Sequence, residues 1–230
     1  MDFKQYLESL ADFSPEQKKR IFEAIRKDIT IHPYEKEIGA PAEVILEAIS
    51  RSPDLTQRGV RGIVAEAIFC LEVLPTVSGW SGKPVANDSF DALLEKNEKL
   101  VRIQVKTQRR KDGVPMLANR KFPGHFVVEV QRTRGGTDDQ GAATRPYRFG
   151  EFDLLAVCMW ASTGNWRNFM FAPAQSLIPD PRDKNIILKM QPIPKSPAGI
   201  WTDNLQVCLD TYFGRGAKPI PVGGAADLLL

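Results

Sequence analysis

One stretch, from Asp91 to Thr107, constrains the fold of this 230-residue chain more tightly than any other. Val101, Ile103 and Val105 alternate there with Arg102, Gln104 and Lys106. That is the period of a β-strand with one apolar and one polar face. Phe90–Glu95 reads as the preceding strand, Leu100–Thr107 as the following one, and Asn97-Glu98 as a two-residue turn, so the stretch is a β-hairpin. With that turn Asp91 falls directly opposite Gln104, and Asp91, Gln104 and Lys106 share a face. A slip of one residue would move Asp91 away from it, so the register decides whether these side chains meet.

Before the hairpin the chain is helical. Residues 2–12 read as a short helix. Ser14-Pro-Glu-Gln supplies an N-cap, a proline at the first helical position and a reciprocal glutamine, starting a helix that runs to about Arg26 or Asp28 with Ile21, Phe22 and Ile25 facing inward. Another helix runs from Pro41 to about Ser50. The next, from about Thr56 to Val73, is apolar between Ile63 and Leu71 except for Glu66, and Pro75 ends it. A lone acid on such a face needs a partner or a metal ion. Ser78–Pro84 reads as a turn-rich loop.

After the hairpin, Phe126–Thr133 reads as a strand, Gly135–Pro146 as a loop, and Phe152–Trp160 as a long apolar strand, central by its composition. Trp166–Phe171 is a further strand. Beyond Pro173 the chain is Pro-rich and irregular, with one more helix near Leu205–Phe213. The reading is a helical N-terminal region over residues 1–55, a main α+β domain over 56–215, and a C-terminal tail over 216–230.

Composition excludes several classes. No run of 18 apolar residues exists, so no transmembrane span is expected, and the N-terminus lacks a signal-peptide core, which favours the cytoplasm. Cys70, Cys158 and Cys208 are far apart and His32 and His125 are isolated, so neither a zinc site nor a disulfide scaffold is expected. The net charge is only +3, yet the window Lys99–Arg134 holds ten basic and two acidic residues, a local +8 against −5 elsewhere. Charge concentrated in this way suits an anionic polymer.

An aspartate, a glutamine and a lysine on one strand face, opening into basic residues, suit phosphodiester hydrolysis. Such a bond repels nucleophiles and must expel an alkoxide. A divalent metal orients and activates water and neutralises developing charge. Mg²⁺ takes hard oxygen ligands. Asp91 offers a carboxylate, Gln104 an amide oxygen, Val105 a backbone carbonyl, and Glu66 a second carboxylate if its helix packs against the sheet. Lys106 would hold the scissile phosphate or the attacking water, and would act as base only with a lowered pKa. Asp88 competes with Asp91 for the ligand role; Asp91 is preferred because it lies in the strand, opposite Gln104.

A helical Glu66, then Asp91, then Gln104-Val-Lys106 on a hairpin resembles the PD-(D/E)XK nuclease superfamily, in the variant where glutamine replaces the second acid. The resemblance covers about Gly59–Thr107; the proline that usually precedes the aspartate is absent, and Gln104 is a weaker ligand than a carboxylate. It implies a restriction-endonuclease-like mixed β-sheet flanked by helices, with catalytic residues Glu66, Asp91, Gln104 and Lys106, Mg²⁺ dependence and DNA cleavage. About 55 residues before that region and some 100 after the hairpin leave room for recognition elements. The expectation is therefore a type II restriction endonuclease, a homodimer on palindromic double-stranded DNA, with no small-molecule cofactor. The alternatives are a structure-specific nuclease of Holliday junction or repair type, and an inactive DNA-binding module of nuclease fold.

Arg109, Arg110, Lys111, Arg145 and Arg148 are expected to contact phosphates. Arg132, Arg134, Thr137, Asp138, Asp139 and Gln140 mix donors and acceptors, which suits base edges better than a uniform backbone. Trp80 could stack on DNA, with core packing the more ordinary role.

Overall fold

The computed structural model describes residues 3–27, 29–86, 88–132, 136 and 145–214. The chain divides into two units, Met1–Gln57 and Arg58–Leu230.

The first unit is helical: α1 (Phe3–Ser9), α2 (Pro15–Arg26), α3 (Tyr34–Ile38) and α4 (Ala42–Ser50). α2 begins as its sequence dictates. The Ser14 hydroxyl accepts from the Gln17 amide at 3.3 Å, and the Gln17 side chain accepts from the Ser14 amide at 2.8 Å, so two of the orphan donors of the helix start are satisfied. The expected inward face is not formed as read. Ile21 is partly buried, while Phe22 and Ile25 are about half exposed, at 50% and 51%. The reason lies in what holds the unit together. Arg26 donates to Glu43 at 2.8 Å, to the Ile29 carbonyl at 2.6 Å and to Glu35 at 2.5 Å, and Glu35 is the one buried residue among the described side chains of this unit. An ionic hub organises these short helices in place of an apolar core.

The second unit is a mixed α+β domain. Helix α5 (Asp54–Ile68), whose first turn precedes the unit boundary, is extended by a π turn (Phe69–Val73) and a 3₁₀ turn (Leu74–Thr76). The strands are β1 (Ser81–Pro84), β2 (Ala92–Lys96), β3 (Lys99–Thr107), β4 (Arg110–Lys111), β5 (Val114–Pro115), β6 (Phe126–Glu129), β7 (Leu154–Cys158), β8 (Phe169–Pro173) and β9 (Met190–Ile193). α6 (Trp160–Thr163) lies between β7 and β8, and α7 (Leu205–Gly214) follows β9. The main sheet has five strands in the order β1-β2-β3-β7-β8. Only β3 and β7 run parallel, so the sheet is mixed and helices flank it, as the sequence led us to expect. β4–β5 and β6–β9 form two small separate sheets.

The β2–β3 register is the one read from the turn. Ala92 pairs with Ile103 and Lys96 with Lys99, and the Asp91 amide donates to the Ile103 carbonyl at 2.9 Å, which sets Asp91 opposite Gln104. Asn97 and Glu98 have φ of 47° and 65°, the left-handed pair that a tight hairpin turn requires.

Other elements differ from expectation. Ser81–Pro84 is an edge strand rather than part of a loop, and Gly82 permits it: a Cβ there would sit 2.5 Å from Leu74 Cγ. The apolar run Phe152–Trp160 supplies the five fully buried residues of β7, an interior strand between β3 and β8, but the strand stops at Cys158 and α6 begins at Trp160. β6 is shorter than Phe126–Thr133 and pairs with β9, a strand inside the Pro-rich region where none was expected. Pro192 interrupts no ladder of the main sheet there, because β9 belongs to a two-stranded sheet.

Both faces of the main sheet are covered. On one, Ala92, Leu94, Val101, Ile103 and Val105 pack with Ala65 and Phe69, and with Leu205 and Leu209 of α7. On the other, Leu155 and Val157 pack with Val128, Ile193, Tyr147 and Phe152. Each buried aliphatic side chain contributes about 1.5–3 kcal/mol. The second layer has a consequence for the hairpin: the face of β3 that carries Gln104 and Lys106 looks into protein, not into open solvent.

Candidate active site

The site is built where β2 starts and β3 continues past it. Odd-numbered β3 residues turn their backbone groups toward β2, as the Asp91–Ile103 bond shows. Even-numbered ones turn theirs toward β7; the Asp153 amide donates to the Arg102 carbonyl at 2.8 Å. β2 begins at Ala92, so at Val105 the antiparallel ladder has run out. Two side chains satisfy the Val105 backbone instead. Its N–H donates to Asp91 Oδ2 at 2.7 Å, and its carbonyl accepts from Gln104 Nε2 at 3.1 Å. Gln104 Nε2 also donates to Asp91 Oδ2.

Gln104 is 2% exposed, so its amide oxygen needs a donor as well. Tyr147 supplies it, with its hydroxyl 2.9 Å from Gln104 Oε1. The Tyr147 ring is itself buried and packs edge-on against Phe152, with ring centres 5.3 Å apart. Two cations sit over that ring, Lys106 Nζ and the Arg132 guanidinium, each 5.3 Å from its centre. Arg132 is held there by Glu151 at 2.7 Å.

The charges of the site strain against their surroundings. Burial pushes the Asp91 carboxyl above the ordinary aspartate value, although the Lys106 charge, the Val105 N–H and the Gln104 amide pull the other way. Glu66, partly buried on α5, is raised by burial and by the Asp91 charge, and Lys106 opposes this. Burial lowers Lys106, while Asp91 and Glu66 hold it up. Glu66, Asp91 and Lys106 thus influence one another's charge. Two carboxylates that burial disfavours in their charged form, beside a backbone carbonyl and an amide, make a place that gains from a bound cation. Among the described residues no group of three or more His, Cys, Asp or Glu side chains could hold a metal ion. Any ion here would draw on the mixed oxygen set of Asp91, Glu66, Gln104 and the Val105 carbonyl, which suits a hard cation.

Asp88 lies outside this arrangement; it is exposed, and its carboxylate accepts from the Ser89 amide at 2.6 Å. Of the expected phosphate contacts, Arg109 pairs with Glu129 at 3.0 Å, Arg110 reaches back to the Gly113 carbonyl and lies over Trp160, and Lys111 is exposed on the β4–β5 hairpin. Arg145 donates to the Arg132 carbonyl at 3.1 Å, and Arg148 lies 3.7 Å from Asp183. Arg132 sits beside Lys106, over Tyr147. Arg134, Thr137, Asp138, Asp139 and Gln140 lie outside the described residues, as does the 216–230 tail. Trp80 packs against the core and stacks on Phe213 with ring centres 5.9 Å apart. Cys158 and Cys208 are buried free thiols and Cys70 is partly buried; burial raises all three, Cys70 to about 11.

One residue of the site, Tyr147, had no signal in the sequence. Tyr147 follows a Gly- and Asp-rich stretch and belongs to no periodic pattern. Gln108 continues the alternation of Gln104 and Lys106, is 3% exposed, and has neither amide atom hydrogen-bonded.

The chain matches no protein-family model and no curated protein. Among solved structures it is similar to a bacterial homing endonuclease, at 21% identity and a TM-score of 0.33, over 50% of this chain and 68% of that one. No helix among the described residues is long and apolar enough to cross a membrane.

Proposed function

We propose that this chain is a Mg²⁺-dependent, sequence-specific endonuclease that hydrolyses phosphodiester bonds in double-stranded DNA, in the manner of a type II restriction enzyme. The observation that supports it most is the convergence of Asp91, the Gln104 amide and the Val105 carbonyl at the end of a strand ladder, with Lys106 one residue on. Asp91, Gln104 Oε1, the Val105 carbonyl and Glu66 would hold the metal. When bound, the metal polarises water and offsets the charge that builds on the phosphate.

The chain's own residues do the rest. Asp91 is fixed by the Val105 N–H, so its second carboxylate oxygen stays available. Lys106 is buried enough that its ammonium is disfavoured, which brings the neutral amine closer to the working pH. It then serves either as a donor to the scissile phosphate or as the base that takes a proton from the attacking water. Arg132, held by Glu151 over the same ring, adds a second cation for the phosphate backbone. The reading carries with it a homodimer on a palindromic site and a cytoplasmic setting.

The test is digestion of a long DNA of known sequence with the protein and Mg²⁺, with fragment ends sequenced. Discrete fragments sharing one end sequence are the expected result. Cleavage confined to four-way junctions would replace sequence recognition by structure recognition, and no cleavage at any divalent metal concentration would end the endonuclease reading.

A further inference from the structure

The Gln104 amide stands where a cation would stand. Its NH₂ group touches Asp91 Oδ2 and the Val105 carbonyl, two acceptors that face one another across the end of the ladder. Without a cation the amide has only this orientation. Turned half a turn about its last bond, Oε1 would meet two other oxygens with no proton between them, and a buried contact of that kind is strongly unfavourable. With a cation present the preference reverses, because only Oε1 can be a ligand.

A half-turn in a buried place also changes what the far end of the amide meets. The group 2.9 Å from Oε1 is the Tyr147 hydroxyl, which donates to it. Lysine and arginine donate only, so neither Lys106 nor Arg132 beside the ring can take that proton once Oε1 turns away. The ring cannot drift away: Tyr147 is 4% exposed and is packed between Phe152, Lys106 and Arg132. Resting on the endonuclease reading above, we infer that the Gln104 side-chain amide is a cation-coupled switch and that Tyr147 is its positioning residue, donating to Oε1 and so latching the amide in its metal-free orientation, a bond that breaks when the amide turns.

The switch gives neutral Gln104 a role that a glutamate could not have. A carboxylate has two equivalent oxygens and no turn to make. Gln104→Glu should therefore bind a divalent cation more tightly than the native protein. Tyr147→Phe should tighten binding, because the bond that favours the metal-free orientation is gone and no phenol proton is left buried without an acceptor when the amide turns. In the Gln104→Glu background there is no amide to turn, so the same tyrosine change should matter little.

The experiment is calorimetric titration of Mg²⁺ and of Mn²⁺ alone into the full chain, without DNA, for the native protein, Tyr147→Phe, Gln104→Glu and the double variant. The ¹⁵N resonance of the Gln104 side chain is followed in the native protein and in Tyr147→Phe. Expected are at least tenfold tighter binding for Gln104→Glu, threefold to tenfold tighter binding for Tyr147→Phe, less than a twofold effect of the tyrosine change when Glu occupies position 104, and a displaced side-chain amide resonance on metal addition. Native protein that binds cation while Tyr147→Phe has equal effects in both backgrounds would overturn the switch and leave the metal site standing. A Gln104 amide resonance unmoved by bound metal would do the same. A native protein that binds neither ion would overturn the switch together with the metal-dependent reading on which it rests.

Discussion

Two aspartates on the main sheet are held in nearly the same way and end in opposite states. Asp153 accepts from the Arg102 backbone amide at 2.8 Å, and Asp91 from the Val105 amide at 2.7 Å, three residues further along the same strand. Asp153 is then closed by the Arg102 guanidinium at 3.0 Å on each oxygen and by the Tyr212 hydroxyl at 3.0 Å. Burial works against its charge, but these bonds outweigh it and hold the carboxyl below the ordinary aspartate value. Asp91 has the Lys106 charge and an amide NH₂ besides its backbone bond, but burial outweighs them and its value rises. One carboxylate is finished and ties β3, β7 and α7 together. The other has no ion pair of that kind among the described residues, which supports the ligand role proposed for it. The difference between them is the Arg102 guanidinium and the Tyr212 hydroxyl, which β3 and α7 place beside only one of the two.

The comparison breaks most visibly in activity. Asp91→Ala and Lys106→Ala are each expected to lower the cleavage rate by on the order of a thousandfold, the scale of losing one preorganised electrostatic partner, while DNA binding in a gel-shift assay stays within a few-fold of native. Asp153→Ala should leave the rate of the protein that remains folded nearly unchanged. Full cleavage by Asp91→Ala would remove the metal assignment and return the role to Asp88.

In stability the order inverts. Asp153→Ala strands the Arg102 guanidinium and two donors, and should cost about 2 kcal/mol; the value lies below that of a fully buried pair because Arg102 keeps 36% of its side chain in solvent. Thermal melting at neutral pH reads this directly. The pH dependence has a definite sign. A carboxyl lowered in the folded state stabilises the fold above its unfolded value, about 4, and that contribution is lost as the pH falls through the folded value. The gap between native and variant should thus be full at pH 7 and close progressively below about pH 4. A gap that stayed constant to pH 2 would mean that the carboxylate charge contributes nothing.

The hairpin was legible because its information is local. A period of two, a two-residue turn and the positions of Asp91, Gln104 and Lys106 fixed a register that the backbone pairing reproduces. What failed were quantities set by distant chain. The +8 window shrinks once folded, since Arg102, Arg109 and Arg132 are each paired with an acid, and two of those acids, Asp153 and Glu151, come from outside the window. Strand β1 depends on Gly82 meeting Leu74, and β9 on finding β6, neither of which leaves a periodic trace. Tyr147 is the plainest case. Nothing near it marks it as part of a site, because its partner Gln104 is 43 residues earlier and the contact exists only when a second apolar layer covers the sheet. The same layer covers the polar face of β3: alternation reveals that two faces differ, not that one of them is wet.

The smallest effect is also the one with the more informative sign. Asn at position 91 keeps an oxygen to accept from the Val105 N–H and the Gln104 amide, and removes only the charge. If burial truly disfavours that charge, metal-free Asp91→Asn should be more stable than the native protein at pH 7, by about 0.5–1 kcal/mol, the usual size for relieving a functional position, or roughly 2 °C in melting temperature. A carboxyl whose value is raised by folding costs stability once the pH passes its unfolded value, and the cost reaches its full size above the folded value. The advantage of Asn should therefore disappear on acidification, as native Asp91 takes up its proton, and it should also disappear when Mg²⁺ saturates the native protein, because the ion supplies the missing positive charge. Melting curves in EDTA and in excess Mg²⁺, at pH 7 and pH 4, give four values for each protein. A loss of stability in EDTA at pH 7 would place Asp91 with Asp153 among the structural carboxylates.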